Sequence, residues 1–152
     1  MALTMSDKEL ARKDRSEWPS ALQEELAREA RSPNGCVGSE RVSETDKVRV
    51  WSIRLKPGQR FGFHRHVLNY FWTAITPGRG RQHLMDGTTV EYSYAPGETR
   101  HETYGTGEFK VHDLENIGDA DLVFMTVEFI ERSANTPLPI PHAVRATTAK
   151  AA

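Results

Sequence analysis

From residue 41 onward the chain runs in short apolar stretches of period two, each stopped by a glycine, proline or aspartate turn, and few architectures accept that rhythm. Residues 47–55, rich in Val, Trp and Ile, end at Pro57-Gly58, and residues 68–76 end at Pro77-Gly78. Residues 79–85 and 88–94 flank Asp86-Gly87, the strongest hairpin signal in the chain. Pro96-Gly97 makes the next turn, and residues 108–114 and 122–130 flank a polar turn at 116–121. Short strands at regular spacing with such turns predict an antiparallel sandwich or barrel.

Ahead of this region, residues 6–31 read as helical. Ser6-Asp7-Lys8-Glu9 and Ser20-Ala21-Leu22-Gln23 both fit the capping box. Leu22, Leu26 and Ala30 then form a narrow apolar stripe suited to packing on a barrel wall. Pro33-Asn34-Gly35 closes the helix. The expected organisation is one domain, with a helical extension over 1–40, a barrel over 41–131 and an extended, then disordered tail over 132–152.

A formal net charge of −1 with 27% charged residues gives no basic footprint for nucleic acid. No apolar run approaches the roughly 20 residues of a membrane span. Cys36 is the only cysteine, so an internal disulfide and a thiolate zinc site are both excluded. With no hydrophobic signal core at the N-terminus, the cytoplasm is the expected location.

The chemistry gathers around His64-Arg65-His66. Two histidines two apart on an extended segment point to the same side, and a third imidazole from a distant strand can complete a facial set of nitrogen ligands. His112 and His101 compete for that third place. His83, between Gln82 and Leu84, reads as wall or surface, and His142 lies in the tail. Arg54, Arg60 and Arg81 are candidates to clamp an anionic substrate, and Phe61, Phe63 and Trp72 to form an apolar wall.

Gly58-(x)5-His64-x-His66 resembles the first signature of the cupins, and His112-(x)3-Asn116 the end of the second. Pro96-Gly97 falls near that signature's turn, though farther from His112 than is usual. The likeness covers about residues 41–131. Residues 116–129 also resemble the closing strands of small single-domain cupins associated with β-alanine degradation. The resemblance implies an all-β, antiparallel cupin or jelly-roll barrel with a short N-terminal helical segment. It also implies one divalent metal on His64, His66 and His112, and a homodimer; sheet edges left open by short strands point the same way, and residues 38–50 are the candidate pairing or exchanged strand. One departure stands out: Tyr70 and Phe71 occupy the two offsets where a ligand glutamate is usual.

Three neutral imidazoles leave a divalent ion its whole +2, so the site should favour a small anionic chelate and keep positions open beside it. In ligand set this is similar to three-histidine cupin dioxygenases. Iron(II) with dioxygen is the leading expectation. Zinc, manganese or nickel acting as a Lewis acid is the alternative, with Tyr70, His101 or Glu102 as acid or base. A cupin that binds its ligand without turnover is the third.

Overall fold

The computed structural model describes residues 9–141, with side chains described from Asp14 onward. The Ser6 capping box and His142 therefore lie outside the described residues. Among the described residues, ten strands form two five-stranded antiparallel sheets. The first has the order β1 (Glu9–Lys13), β7 (Thr88–Tyr94), β6 (Gly78–His83), β9 (Lys110–Asn116) and β4 (Arg60–His66). The second has the order β2 (Glu40–Glu44), β3 (Val48–Leu55), β10 (Leu122–Phe129), β5 (Tyr70–Ala74) and β8 (Thr99–Glu102). The strands expected over 47–55, 68–76, 79–85, 88–94, 108–114 and 122–130 correspond to β3, β5, β6, β7, β9 and β10, and the extended His64-x-His66 segment is β4.

The hairpin signal works through its glycine. Gly87 sits at φ 94°, a left-handed conformation that side chains resist. Asp86 Oδ1 accepts the Thr88 amide at 2.9 Å, which closes the β6–β7 connection locally.

The inner faces of the two sheets meet over Ile53, Leu55, Ala74, Tyr94, Leu114, Leu122 and Phe124. A second cluster of Trp18, Leu26, Phe63 and Val111 lies on the outside of the first sheet, where helix α1 (Ser20–Arg31) packs. Glu25 clamps that helix to β4. Its two carboxylate oxygens accept from Arg60 Nη1 and Nη2 at 2.9 Å each, and Oε2 also accepts the Phe63 amide at 2.8 Å. The Arg60 guanidinium holds the Glu25 carboxyl below its ordinary range. Burying Leu26 adds about 2 kcal/mol.

The N-terminal region differs from the helical reading. Residues Glu9–Lys13 form β1, which pairs along β7 from Glu9↔Tyr92 to Lys13↔Thr88. The unpaired edge of β7 takes a strand there and overrides local helix propensity. A short 3-10 turn, Arg15–Glu17, follows, and the α-helix begins only after Pro19. The second capping box does not form, because Gln23 Nε2 donates to the Trp18 carbonyl at 3.0 Å instead. Leu26 and Glu29 are buried and Leu22 is half-buried, while Ala30 is exposed. Residues 133–141 carry no helix or strand, and among the described residues no helix is long and apolar enough to cross a membrane.

Candidate metal centre

Three histidines meet inside the barrel. His64 and His66 come from β4, and His112 faces His64 directly across the β4–β9 ladder. Their ring centroids lie 4.6–5.0 Å apart, and one nitrogen from each falls within 4.8 Å of the others. All three are buried, and no Asp or Glu joins the cluster among the described residues. The Nε2 atoms of His66 and His112 are 3.1 Å apart. That separation is short enough for one divalent ion to be held by both nitrogens.

The surroundings set the tautomers. His64 Nδ1 lies 2.8 Å from the Gly62 carbonyl, which can only accept, so the ring donates there and leaves Nε2 free. His112 Nδ1 donates to Gln82 Oε1 at 2.6 Å, again leaving Nε2 for the centre. Gln82 is fixed in turn by its Nε2, which donates to the Tyr94 hydroxyl at 3.3 Å. Burial lowers the His64 pKa to about 4. Burial, followed by the neighbouring His64, pushes His66 and His112 well below their ordinary range. Neutral imidazoles that converge in this way fit a divalent ion as they stand.

The order of residues in β4 depends on an irregularity. The ladder slips between Phe61 and His64, so strict alternation fails over Gly62 and Phe63. Phe61 turns inward and its ring lies 4.7 Å from His64, whereas Phe63 packs outside beside Trp18. A Cβ at position 62 would stand 2.9 Å from Glu25 Oε2, so glycine lets the helix clamp approach.

Tyr70 occupies the wall. It is 3% exposed and stacks on His66 at 4.1 Å with 12° between the rings. Burial, helped by nearby Tyr104 and Glu102, raises its pKa well above the ordinary phenol range, so it stays a neutral hydroxyl. Trp72 also lines the cavity, which measures about 40 Å³. Gln82, Tyr94 and Thr126 line it too and were not legible as site residues. Gln82 shares a strand with Arg79 and Arg81, and nothing local marks it as facing inward.

The remaining expectations need correction. Arg54 is exposed and pairs with Asp121 at 3.5 Å. Arg60 points outward to Glu25 and to Asp113 Oδ2, the latter at 2.6 Å. Arg81 bridges Glu91 and Glu115 at 3.1 and 3.3 Å, also outside. Each arginine found a carboxylate on an adjacent outer element, so none enters the metal cavity. His101 is exposed on β8, with its ring 5.3 Å from Phe71, and Glu102 pairs with Lys110 at 3.4 Å. His83 is buried on the outer side, where its Nδ1 bonds Asp113 Oδ2 at 2.9 Å and Trp18 covers it edge-on at 5.0 Å.

No protein-family model matches the sequence, and no curated protein matches it either. Solved structures do. A cupin domain from Bordetella pertussis Tohama I is 26% identical over 57% of this chain and 84% of its own, with a TM-score of 0.50. An uncharacterised conserved protein with a double-stranded β-helix domain from Klebsiella pneumoniae is 23% identical over 62% of this chain and 81% of its own, with a TM-score of 0.47. An oxalate decarboxylase of Bacillus subtilis is 24% identical over 54% of this chain and 21% of its own, with a TM-score of 0.42. The first of these, together with the two-sheet topology, makes the fold a cupin jelly roll.

Proposed function

We propose that this chain is a metal-dependent enzyme in which His64, His66 and His112 hold one iron(II) ion, and that it oxidises a compact organic monoanion with dioxygen. The observation that carries the reading is the cluster itself: three buried, neutral, convergent imidazoles with no carboxylate among them. A divalent ion held there supplies an uncompensated +2 charge and open positions for a chelating anion and for oxygen.

The chain's own residues narrow the substrate. The cavity is lined by Ile53, Trp72, Leu114 and Phe124, with polar groups from Gln82, Tyr94, Thr126 and Tyr70, and among the described residues no lysine, arginine, aspartate or glutamate faces it. A second charge at the far end of the substrate would therefore find no partner, and desolvating it would cost several kcal/mol. The clamp first expected from arginines is replaced by neutral hydroxyls and an amide. Gly62 and Gln82 hold two of the imidazoles in the ligating tautomer, and Tyr70 fixes the third by stacking. The likeness to cupins of β-alanine degradation directs the probe panel to three-carbon carboxylates and their enolisable keto forms.

A Lewis-acid isomerase, decarboxylase or lyase using zinc, manganese or nickel is the second reading. Tyr70 favours it, because a neutral hydroxyl in the wall beside His66 can donate a hydrogen bond to charge developing on a substrate oxygen. Anaerobic loading with iron(II), followed by an air pulse with each acid, separates the two. Oxygen uptake in step with substrate loss is expected. Equal turnover without oxygen, or with zinc alone, transfers the conclusion to the Lewis-acid reading, and saturable binding without turnover under all metals makes the protein a binding cupin.

The chain is further proposed to act as a cytoplasmic homodimer. The outer face of the second sheet, with Val50, Phe71, Met125 and Val127 half-buried, has no helix across it among the described residues, whereas α1 packs on the first sheet. β2, at the centre of the segment first expected to pair, lies at the edge of this sheet against β3 of its own chain. A monomeric mass by light scattering at micromolar concentration overturns the dimer.

A further inference from the structure

The inner face of the second sheet carries another polar rung beyond the metal pocket. Cross-strand register sets Glu44, Arg49, Glu128 and Tyr70 side by side, and residues directly opposite one another share a face. Arg41 stands on the adjoining rung, opposite Trp51. Arg41 and Arg49 are each 5% exposed, and both line a cavity of about 420 Å³ together with Glu44, Asp46, Ile130 and Leu138. This cavity is about ten times the size of the metal pocket and shares no lining residue with it.

The hydrogen bonds in this cavity are incomplete. Arg41 is bonded to Glu44. Arg49 Nε is buried and has no hydrogen-bond partner among the described residues. Glu128 Oε1 lies 3.8 Å from it and Glu44 Oε1 3.9 Å, both beyond hydrogen-bond reach. Glu128 Oε1 is already committed, accepting from Trp51 Nε1 at 2.7 Å. Burial, reinforced by the Glu44 charge against the opposing pull of Arg49 and Trp51, raises the Glu128 pKa to about 7, so near neutrality it supplies only part of a negative charge. A buried guanidinium N–H without an acceptor is costly, and a ligand oxygen would satisfy it.

We propose that Arg49 anchors a second binding site, independent of the metal, for the carboxylate or phosphate head of a small monovalent anion. The flat guanidinium offers paired donors that match two oxygens of such a head. Glu44 and Asp46 on the same wall repel ligands of higher charge. Ile130, Pro137, Leu138 and Ile140 leave an apolar surface for a short hydrocarbon remainder.

The test follows the Arg49 Nε–Hε resonance by ¹⁵N–¹H NMR, assigned by its loss in Arg49→Lys. Acetate and inorganic phosphate are titrated separately, into metal-free and metal-loaded full-length protein. A saturable shift of this resonance is expected, with the same midpoint in both metal states, and Arg49→Met should weaken thermal stabilisation by the same anions at least about tenfold. The arm that saturates at lower concentration identifies the head group as carboxylate or phosphate. An Arg49 resonance that is visible and does not move with either anion overturns the site, even if Arg49→Met fails to fold. A shift seen only in metal-loaded protein also overturns it, because the anion is then acting at the histidines.

Discussion

Replacing Gln82 with leucine removes the acceptor of a 2.6 Å hydrogen bond to His112 Nδ1 without touching a ligand atom. In metal-loaded protein the His112 Nε2 is committed to the ion, so Nδ1 must carry the hydrogen and must find an acceptor. In metal-free protein the ring can shift its proton to Nε2, 3.1 Å from His66, and escape part of the loss. The penalty therefore falls mainly on the loaded state. A buried donor left unpaired costs about 1–3 kcal/mol, which corresponds to a fall of about 5- to 150-fold in metal affinity. Gln82→Glu keeps an acceptor and makes it anionic, so it should hold metal at least as tightly as the parent. The assay is competition against a coloured chelator at fixed pH, with circular dichroism to confirm the fold. Parental affinity, within twofold, in correctly folded Gln82→Leu would show that this contact does not hold His112 in its ligating form.

Tyr70→Phe should retain stoichiometric metal, because the ring stack on His66 survives, while Tyr70→Glu should weaken binding of a carboxylate probe; tighter probe binding in the glutamate variant, measured by calorimetry, contradicts the charge argument. Glu128, with its folded pKa raised from 4.5 to about 7, contributes stability that is full below pH 4.5 and is lost as pH rises through about 7, at most about 3 kcal/mol. The three histidines have the opposite slope, being held neutral by the fold, so the contribution is read as the difference between parent and Glu128→Gln in urea melts from pH 4.5 to 8; parallel curves refute it. Asp113, 0% exposed, accepts from Arg60 Nε and from the His83 amide at 2.6 Å each, so Asp113→Ala should cost about 3–5 kcal/mol in chemical denaturation; a loss under 1 kcal/mol would show that Arg60 is satisfied by Glu25 alone.

The sequence by itself determined what is local. Asp86-Gly87 and Pro96-Gly97 set their turns because glycine alone tolerates the positive φ each adopts. The strand period placed Trp51, Ile53 and Leu55 on one face, and His64-x-His66 put two imidazoles on one side. Tertiary structure decided everything that depends on a distant partner. Whether residues 9–13 became helix or strand was settled by the open edge of β7. Phe61 and Phe63 look alike in sequence, and the slip beside Gly62 sent one toward the metal cavity and the other under α1. Arg54, Arg60 and Arg81 were taken by Asp121, Glu25 with Asp113, and Glu91 with Glu115, contacts that no local pattern encodes. Gln82 gained its place from two bonds across the barrel interior, one to His112 and one to Tyr94. Turn geometry and side-chain alternation are short-range properties of the backbone, whereas ion pairing and ligand orientation depend on which strands the closed barrel brings together.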